Sequence, residues 1–426
     1  MSVVLRFLAC AIAGGLTLAY GAHAASAAGP ATPVRPTSGG TYAYTTPEAV
    51  PYVGARAVIH YVTTGPDAPP LNDDDGSGYP DYVEQASLAA DTALLYYERH
   101  GFKLPLTDTA GPDGKPDIYI DSLPPGVFGL TFPETAQGGT FVLVSPRLDP
   151  GPTALGSLRI TVAHELFHVI QYSYIQSGKL PLWAAEGSAS ALSMLVFPQV
   201  QDLTMTDYLD SWLNQPWLPL YDERFGCAHC YGGAWWWRYL ARLNPAILPR
   251  YFALLEAADS RGKPTSVGVT QLDLALKSSH AGSLDKVFTA FSLNLYRQGL
   301  PLGAAYSIKA STKPHATSVR PVYGLSAQYV PIHVPATSRG VVVAVPYGNG
   351  PRPQVTLVVG GPKGRRIAPK RFRPGVGSIV STLFRNARER RQIALIVTSG
   401  HLNGVKYQVG YAAVGPGGKL PGWIAF

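Results

Sequence analysis

The alternation of apolar and polar residues divides the chain into textures. Up to about residue 56 no period holds: residues 25–56 are rich in Ala, Pro, Thr and Gly, a composition that predicts a flexible leader or pro-segment. Residues 57–62 (AVIHYV), 117–120 (DIYI) and 140–144 (TFVLV) are short runs that predict strands. Over 81–100, Val83, Ala86, Ala90, Leu94 and Tyr97 recur at helical spacing, with Gly101 just past the end. Helical patterns then cover 154–176, 182–195, 202–213, 231–243, 246–258, 270–278 and 283–297. Beyond about residue 328 the texture turns β-like, at 329–334, 341–345, 355–359, 379–384, 393–397 and 407–413, with Gly- and Pro-rich turns between. These runs predict a small antiparallel sandwich of roughly 100 residues. The expected fold class is α+β: a first domain over 57–327, with a short mixed sheet and a helical lobe, followed by an all-β sandwich-like domain over 328–426. A chain of 426 residues exceeds what one core usually holds.

The first residues change the picture by suggesting export. Arg6 precedes an apolar run over 7–19, and Ala22-His23-Ala24 offers small residues where a signal peptidase reads them. Residues 1–24 are thus expected as a signal peptide, with Ala27 as a second cleavage site and a secreted or periplasmic location. At about 13 residues the run is shorter than the roughly 20 needed to span a bilayer, and no later stretch is long and apolar enough.

With Cys10 lost in the signal, Cys227 and Cys230 remain, in the run CAHC; in an exported chain such a pair defaults to a local disulfide. The formal charge is +8. Many of the cations fall late, among them Arg352, Lys363, Arg365, Arg366, Lys370, Arg371, Arg373, Arg385, Arg388, Arg390 and Arg391. They fit either an anionic cell-surface polymer as partner or a merely solvated face. No nucleic-acid module is visible.

The chemistry concentrates in Ala163-His164-Glu165-Leu166-Phe167-His168. Two His at i and i+4 point the same way from a helix and can share one metal ion, and the adjacent Glu165 can act on a water there. The surrounding residues, Ile160, Val162, Leu166, Phe167, Val169 and Ile170, predict a buried helix, which tolerates such groups only if they are satisfied. The bland alternative is a chance HExxH in a core helix. Against it stands Trp183-Ala184-Ala185-Glu186-Gly187-Ser188-Ala189, a second helix with one carboxylate among small residues. His164, His168 and Glu186 then supply the three protein ligands a catalytic zinc requires, with Glu165 as general base. Glu186 alone would read as an ordinary glutamate near a helix N-terminus.

HExxH, a connection and a helix bearing W-x-x-E-G-x-A together resemble the gluzincin clan of zinc peptidases, to which thermolysin-like enzymes and the large zinc aminopeptidases belong. The resemblance implies a zincin-like catalytic domain. AHELFHVIQ with the upstream DGSGYPDYVE is also similar to a family of exported bacterial metalloproteases, over roughly residues 57–300. The aminopeptidase G-x-M-E-N run is missing, so the resemblance implies an endopeptidase. Where thermolysin-like enzymes carry an Asp four residues after the ligand glutamate, this chain has Ser190. The clan usually adds a Tyr or His that stabilises the oxyanion; Tyr231 and His229 are the candidates.

Upstream, Asp73, Asp75, Ser77, the Tyr79 carbonyl, Asp81 and Glu84 fall at positions 1, 3, 5, 7, 9 and 12 of a twelve-residue calcium loop, with Gly78 at position 6. The alternative is an acidic turn capping the helix that starts near Asp81. The expected function is a secreted zinc peptidase acting on protein or peptide substrates, with Zn2+ and a structural Ca2+ as cofactors. Its rivals are an inactive peptidase-like binding protein and a zinc amidase of cell-wall crosslinks.

Overall fold

The computed structural model describes residues 35–37, 40–108, 113–134, 139–149, 157–175, 180–199, 210–222, 228–262, 268–316, 320–347, 351–372, 377–401 and 404–418. Residues 1–24, expected as a signal peptide, lie outside these, as do most of 202–213 and Cys227. The fold is α+β and divides into two compact units, residues 1–207 with 233–275, and 208–232 with 276–426. No helix among the described residues is long and apolar enough to cross a membrane.

In the first unit a five-stranded mixed sheet runs in the order β3 (Tyr52–Val53), β4 (Val58–His60), β5 (Asp117–Ile120), β7 (Thr140–Val144), β6 (Gly129–Pro133). The three inner strands are parallel, and both edge strands are antiparallel to their neighbours. Every residue of β5 and β7 is buried, which is why Ile118 to Ile120 and Phe141 to Val144 are apolar without alternation. The edge strand β6 has a weak sequence signal, since Gly and Pro at its ends leave only Leu130-Thr131-Phe132 to alternate.

Helix α1 (Asp81–Arg99) buries Val83, Ala86, Ala90, Leu94 and Tyr97. It stops at Gly101, whose φ of +81° only glycine adopts freely. The Gly101 N–H reaches the Glu98 carbonyl at 3.0 Å and the Phe102 N–H the Tyr97 carbonyl at 3.1 Å, the paired bonds of a glycine-terminated helix. Helix α2 (Ser157–Tyr172) is buried along almost its whole length. The Tyr97 hydroxyl donates to its Ala163 carbonyl at 2.7 Å, and Phe167 meets Tyr97, Phe102 and Phe252 edge-on. Helix α3 (Leu182–Val196) follows.

The segment expected as a loose leader is built into this unit from residue 35 onward. Strands β1 (Arg35–Thr37) and β2 (Gly40–Tyr42) form a hairpin. Tyr42 and Tyr44 pack on Tyr119, Leu130, Phe141 and Leu143, and the Tyr44 hydroxyl donates to the carbonyls of His60 and Ile120. Arg35 is fully buried. Its Nη1 lies 2.9 Å from Asp108 and 2.8 Å from Glu134, it pairs with Asp117, and its Nε donates to the Tyr119 hydroxyl. Composition hid this, because one arginine among Pro, Thr and Gly does not alter a low-complexity texture.

The first unit also contains α5 (Ala234–Leu243) and α6 (Ile247–Asp259). The division from the second unit falls between α4 (Ala228–Gly232) and α5, and again within α7 (Val269–Ser278).

In the second unit two five-stranded sheets enclose one core. One runs β14 (Arg365–Ile367), β13 (Gln354–Val359), β17 (Ile393–Ser399), β11 (Ser326–His333), β8 (Ile308–Lys309). The other runs β15 (Lys370–Phe372), β16 (Gly377–Leu383), β12 (Gly340–Pro346), β19 (Gly410–Val414), β9 (His315–Ala316). A further pair joins β10 (Arg320–Val322) to β18 (Val405–Tyr407). Val341, Val343 and Val345 from one sheet meet Val355, Leu357, Leu395 and Val397 from the other, the alternation that predicted a sandwich.

The boundary differs from the expected 328. Helix α8 (Leu284–Gln298) lies against this sandwich, with Thr289 2.8 Å from Thr398 and the Tyr329 hydroxyl donating to Ser292. Trp212, from the 208–232 stretch, stacks on Phe291. An amphipathic pattern reveals a buried face without naming the surface that covers it.

Removing Arg35 takes the guanidinium away from three buried carboxylates, Asp108, Asp117 and Glu134. Arg35→Ala should cost about 3–5 kcal/mol of stability, read from urea unfolding of the full chain. An unchanged midpoint would mean that residues 35–44 do not belong to the folded unit.

Candidate metal centre

Two adjacent helices build the site. The i, i+4 spacing puts His164 and His168 on one face of α2. Across from them α3 presents Glu186 among Ala184, Ala185, Gly187, Ser188, Ala189 and Ser190, all buried, and these small side chains let the two helices approach. The Nε2 atoms of His164 and His168 are 3.1 Å apart, and Glu186 Oε2 lies 3.2 Å from the first and 3.6 Å from the second. A tetrahedral ion with bonds of about 2.0–2.1 Å holds its ligands about 3.3 Å apart, so the three atoms are spaced as a zinc site requires. All three residues are buried, and Glu186 Oε1 has no hydrogen-bond partner.

The electrostatics fit a ligand set. Burial alone would push the Glu186 carboxyl up, but His168 and His164 outweigh it and hold Glu186 down at about 2. Burial alone would lower His168, but Glu186 outweighs it and raises His168 to about 9. A carboxylate that stays ionised in an apolar interior needs positive charge beside it.

A second set of contacts orients the ligands. His168 Nδ1 is 2.8 Å from Gln171 Oε1, and an Nδ1–H donated there turns Nε2 toward the ligand group, where a metal would replace its proton. Gln171 in turn donates to the Ala185 carbonyl at 2.9 Å and to Ser188 Oγ at 3.1 Å, tying the two helices together. Ser190, where thermolysin-like enzymes have an Asp, lies 3.4 Å from His164 Nδ1.

Glu165 is in contact with β6. Its Oε2 accepts from Thr131 Oγ1 at 2.7 Å, while Oε1 is buried with no partner. The strand comes this close because residue 129 has no side chain: a Cβ there would lie 2.6 Å from Glu165 Cγ and 2.8 Å from Oε1. Thr131, Gly129 and Gln171 were not found from sequence; the first two belong to the strand that went unread. Tyr172 was also missed, although it continues the 164, 168 spacing by one more turn. It is buried, and burial together with Glu186 and Glu165 holds its hydroxyl protonated far above the usual range.

The upstream loop brings together three of its expected calcium ligands, Asp73, Asp75 and Asp81. The Ser77 and Gly78 N–H groups donate to Asp73, each at 2.9 Å, and these bonds draw its carboxyl below the usual range. The Tyr79 N–H donates to Ser77 Oγ. Glu84, in the first turn of α1, is not part of that carboxylate group. Pro80 stands at the N-cap of α1 and gives no side-chain cap; the loop caps the helix through its backbone instead, the Asn72 carbonyl accepting the Asp81 N–H at 2.8 Å.

Tyr231 and His229 lie on the short helix α4 of the second unit, both buried. Burial holds the His229 imidazole below its ordinary pKa. Cys230 in the same helix is a buried free thiol among the described residues, and its expected partner Cys227 lies outside them.

No family profile and no curated protein matches the chain. Among solved structures, one described as a family GH115 4-O-methyl-α-glucuronidase with specificity for decorated arabinogalactans aligns at 11% identity and a TM-score of 0.17. The alignment covers 60% of this chain, which spans 42% of that protein's length. Similarity this low carries no argument about fold or chemistry.

Gly129→Ala should force β6 away from α2 and cost roughly 1–3 kcal/mol by overpacking, seen as a lower melting temperature. An unaltered melting temperature would show that the strand has room to spare there.

Proposed function

We propose that the protein is a zinc-dependent peptidase with a zincin-like first unit, in which His164, His168 and Glu186 hold the ion. The observation that carries this reading is the ring of three buried ligand atoms 3.1–3.6 Å apart, beside a glutamate with one oxygen unpaired. When bound, zinc would supply a Lewis acid that activates water and polarises a carbonyl.

The chain's own groups do the rest. Thr131 fixes Glu165 Oε2 and leaves Oε1 to take a proton from the attacking water and return it to the leaving amine. Tyr172, which stays protonated, is the hydroxyl that the first unit offers to a developing oxyanion. Strand β6 ends the sheet and has no partner on its outer side among the described residues, so an extended peptide can align with it through backbone hydrogen bonds. A substrate held along a strand continues in both directions, which favours an endopeptidase over an aminopeptidase. The Asp73, Asp75 and Asp81 group would hold calcium ahead of α1.

Elemental analysis should find one zinc per chain, lost in a His164→Ala, His168→Ala double variant. Glu165→Gln should keep zinc and lower peptide hydrolysis roughly 10²–10⁴-fold, with Thr131→Val and Tyr172→Phe causing smaller losses in kcat. Wild-type turnover in Glu165→Gln would remove it as the base, and full zinc content in the double variant would end the assignment.

Calcium added to chelated protein should raise the melting temperature by mass action on the folded state, and Asp73→Ala with Asp75→Ala should abolish the response. If the variant responds as wild type does, the ion binds elsewhere.

A further inference from the structure

The two signs of charge are separated along the chain. Residues 286–426 carry 19 Lys and Arg and a single acid, Glu389, whereas the first 285 residues carry 16 Lys and Arg against 26 Asp and Glu. Residues 286–426 are therefore +18 and the rest of the chain −10; Asp285, at the start of α8, accepts the Gly400 N–H.

The single acid is not available to an outside partner. Glu389 is buried, grips Arg365 through two bonds of 3.1 and 2.9 Å, and accepts the Arg385 N–H at 2.8 Å. It pins α9 (Ala387–Arg391), capped by Asn386, to the β13–β14 turn, where the Gly360 N–H also donates to the Gln392 carbonyl at 2.7 Å. The same corner leaves Lys363, Arg366, Arg385, Arg388 and Arg391 exposed.

Two bland accounts fall short. Charged edge strands discourage sheet-to-sheet pairing, which covers Arg366 on β14 and Lys370 on β15 but not the lack of acids elsewhere. A surface serving solubility alone mixes both signs. One-sided charge stores self-repulsion, which a bound polyanion relieves.

We infer that the sandwich, through the corner formed by the β13–β14 turn and α9, binds a linear polymer of repeating phosphate groups. Twelve of the 19 cations are Arg, whose planar fork matches phosphate oxygens. Nucleic acid is disfavoured because Tyr323 is the one exposed aromatic among the described side chains of this segment, which leaves single strands no stacking platform. The inference stands apart from the zinc reading and needs no hydrolysis to test.

Binding of full-length protein to long-chain polyphosphate, polygalacturonate, duplex DNA and neutral dextran should be measured at equal charge, where charged. Polyphosphate should bind tightest, with affinity falling about tenfold or more between roughly 50 and 200 mM salt. Arg366→Gln, Arg385→Gln, Arg388→Gln and Arg391→Gln together should weaken it at least about tenfold with the melting temperature kept. A charge-conserving Arg→Lys set should keep the melting temperature and bind between wild type and the Gln set, which separates charge from the Arg fork and from lost folding. The inference is overturned if polyphosphate does not bind, if the Gln set binds like wild type, or if DNA or polygalacturonate binds more tightly.

Discussion

The first unit is organised around one constraint: two glutamates, Glu165 and Glu186, sit inside an apolar interior and must both be compensated. Glu186 is met by the two imidazoles of α2. Glu165 is met on one oxygen by a threonine from the sheet edge. Each solution dictates a packing distance. The first needs small residues along α3, and the second needs a residue without Cβ in β6. An uncompensated carboxylate at such depth would cost more than most single contacts contribute, so these small residues are part of the electrostatics as much as of the packing.

That constraint also explains what could be read in advance. His164 and His168 were legible because helical spacing alone brings them together, and Glu165 because it stands next to the first of them. Glu186 was legible only in company: alone it would read as an ordinary glutamate near a helix N-terminus, and the two histidines upstream give it a role. Thr131 and Gly129 were not, because their relevance depends on a sheet register that no local pattern encodes. Gln171 was close in sequence but looked like any polar residue at a helix end; only the position of Ala185 and Ser188 on the next helix gives it a task. In the second unit the strands were legible from alternation, while the placement of α8 and of residues 208–232 was not. The loop at residues 73–84 lay between these cases: its three aspartates do converge, and the helix glutamate expected to join them does not.

The second unit solves a different problem. Its core is almost wholly aliphatic, built from valines, leucines and isoleucines of two facing sheets, and asks nothing of charged groups. The long strands carry no Lys or Arg; the cations gather instead on the short edge strands β14 and β15, the turns and α9. The first unit spends charge on its interior, and the second displays charge on its exterior.

The hairpin carrying Arg35 has a consequence for the order of assembly. Its partners, Asp108, Asp117 and Glu134, lie 73 to 99 residues further along the chain, and the sheet face that Tyr42 and Tyr44 cover exists only once β5 and β7 have paired. A contact that closes such long loops forms late. The earliest of the described residues thus cannot settle until residue 134 and its strand are in place. A chain arriving from its N-terminus would hold this segment open until most of the first unit had been delivered, and would then use it as the closing piece.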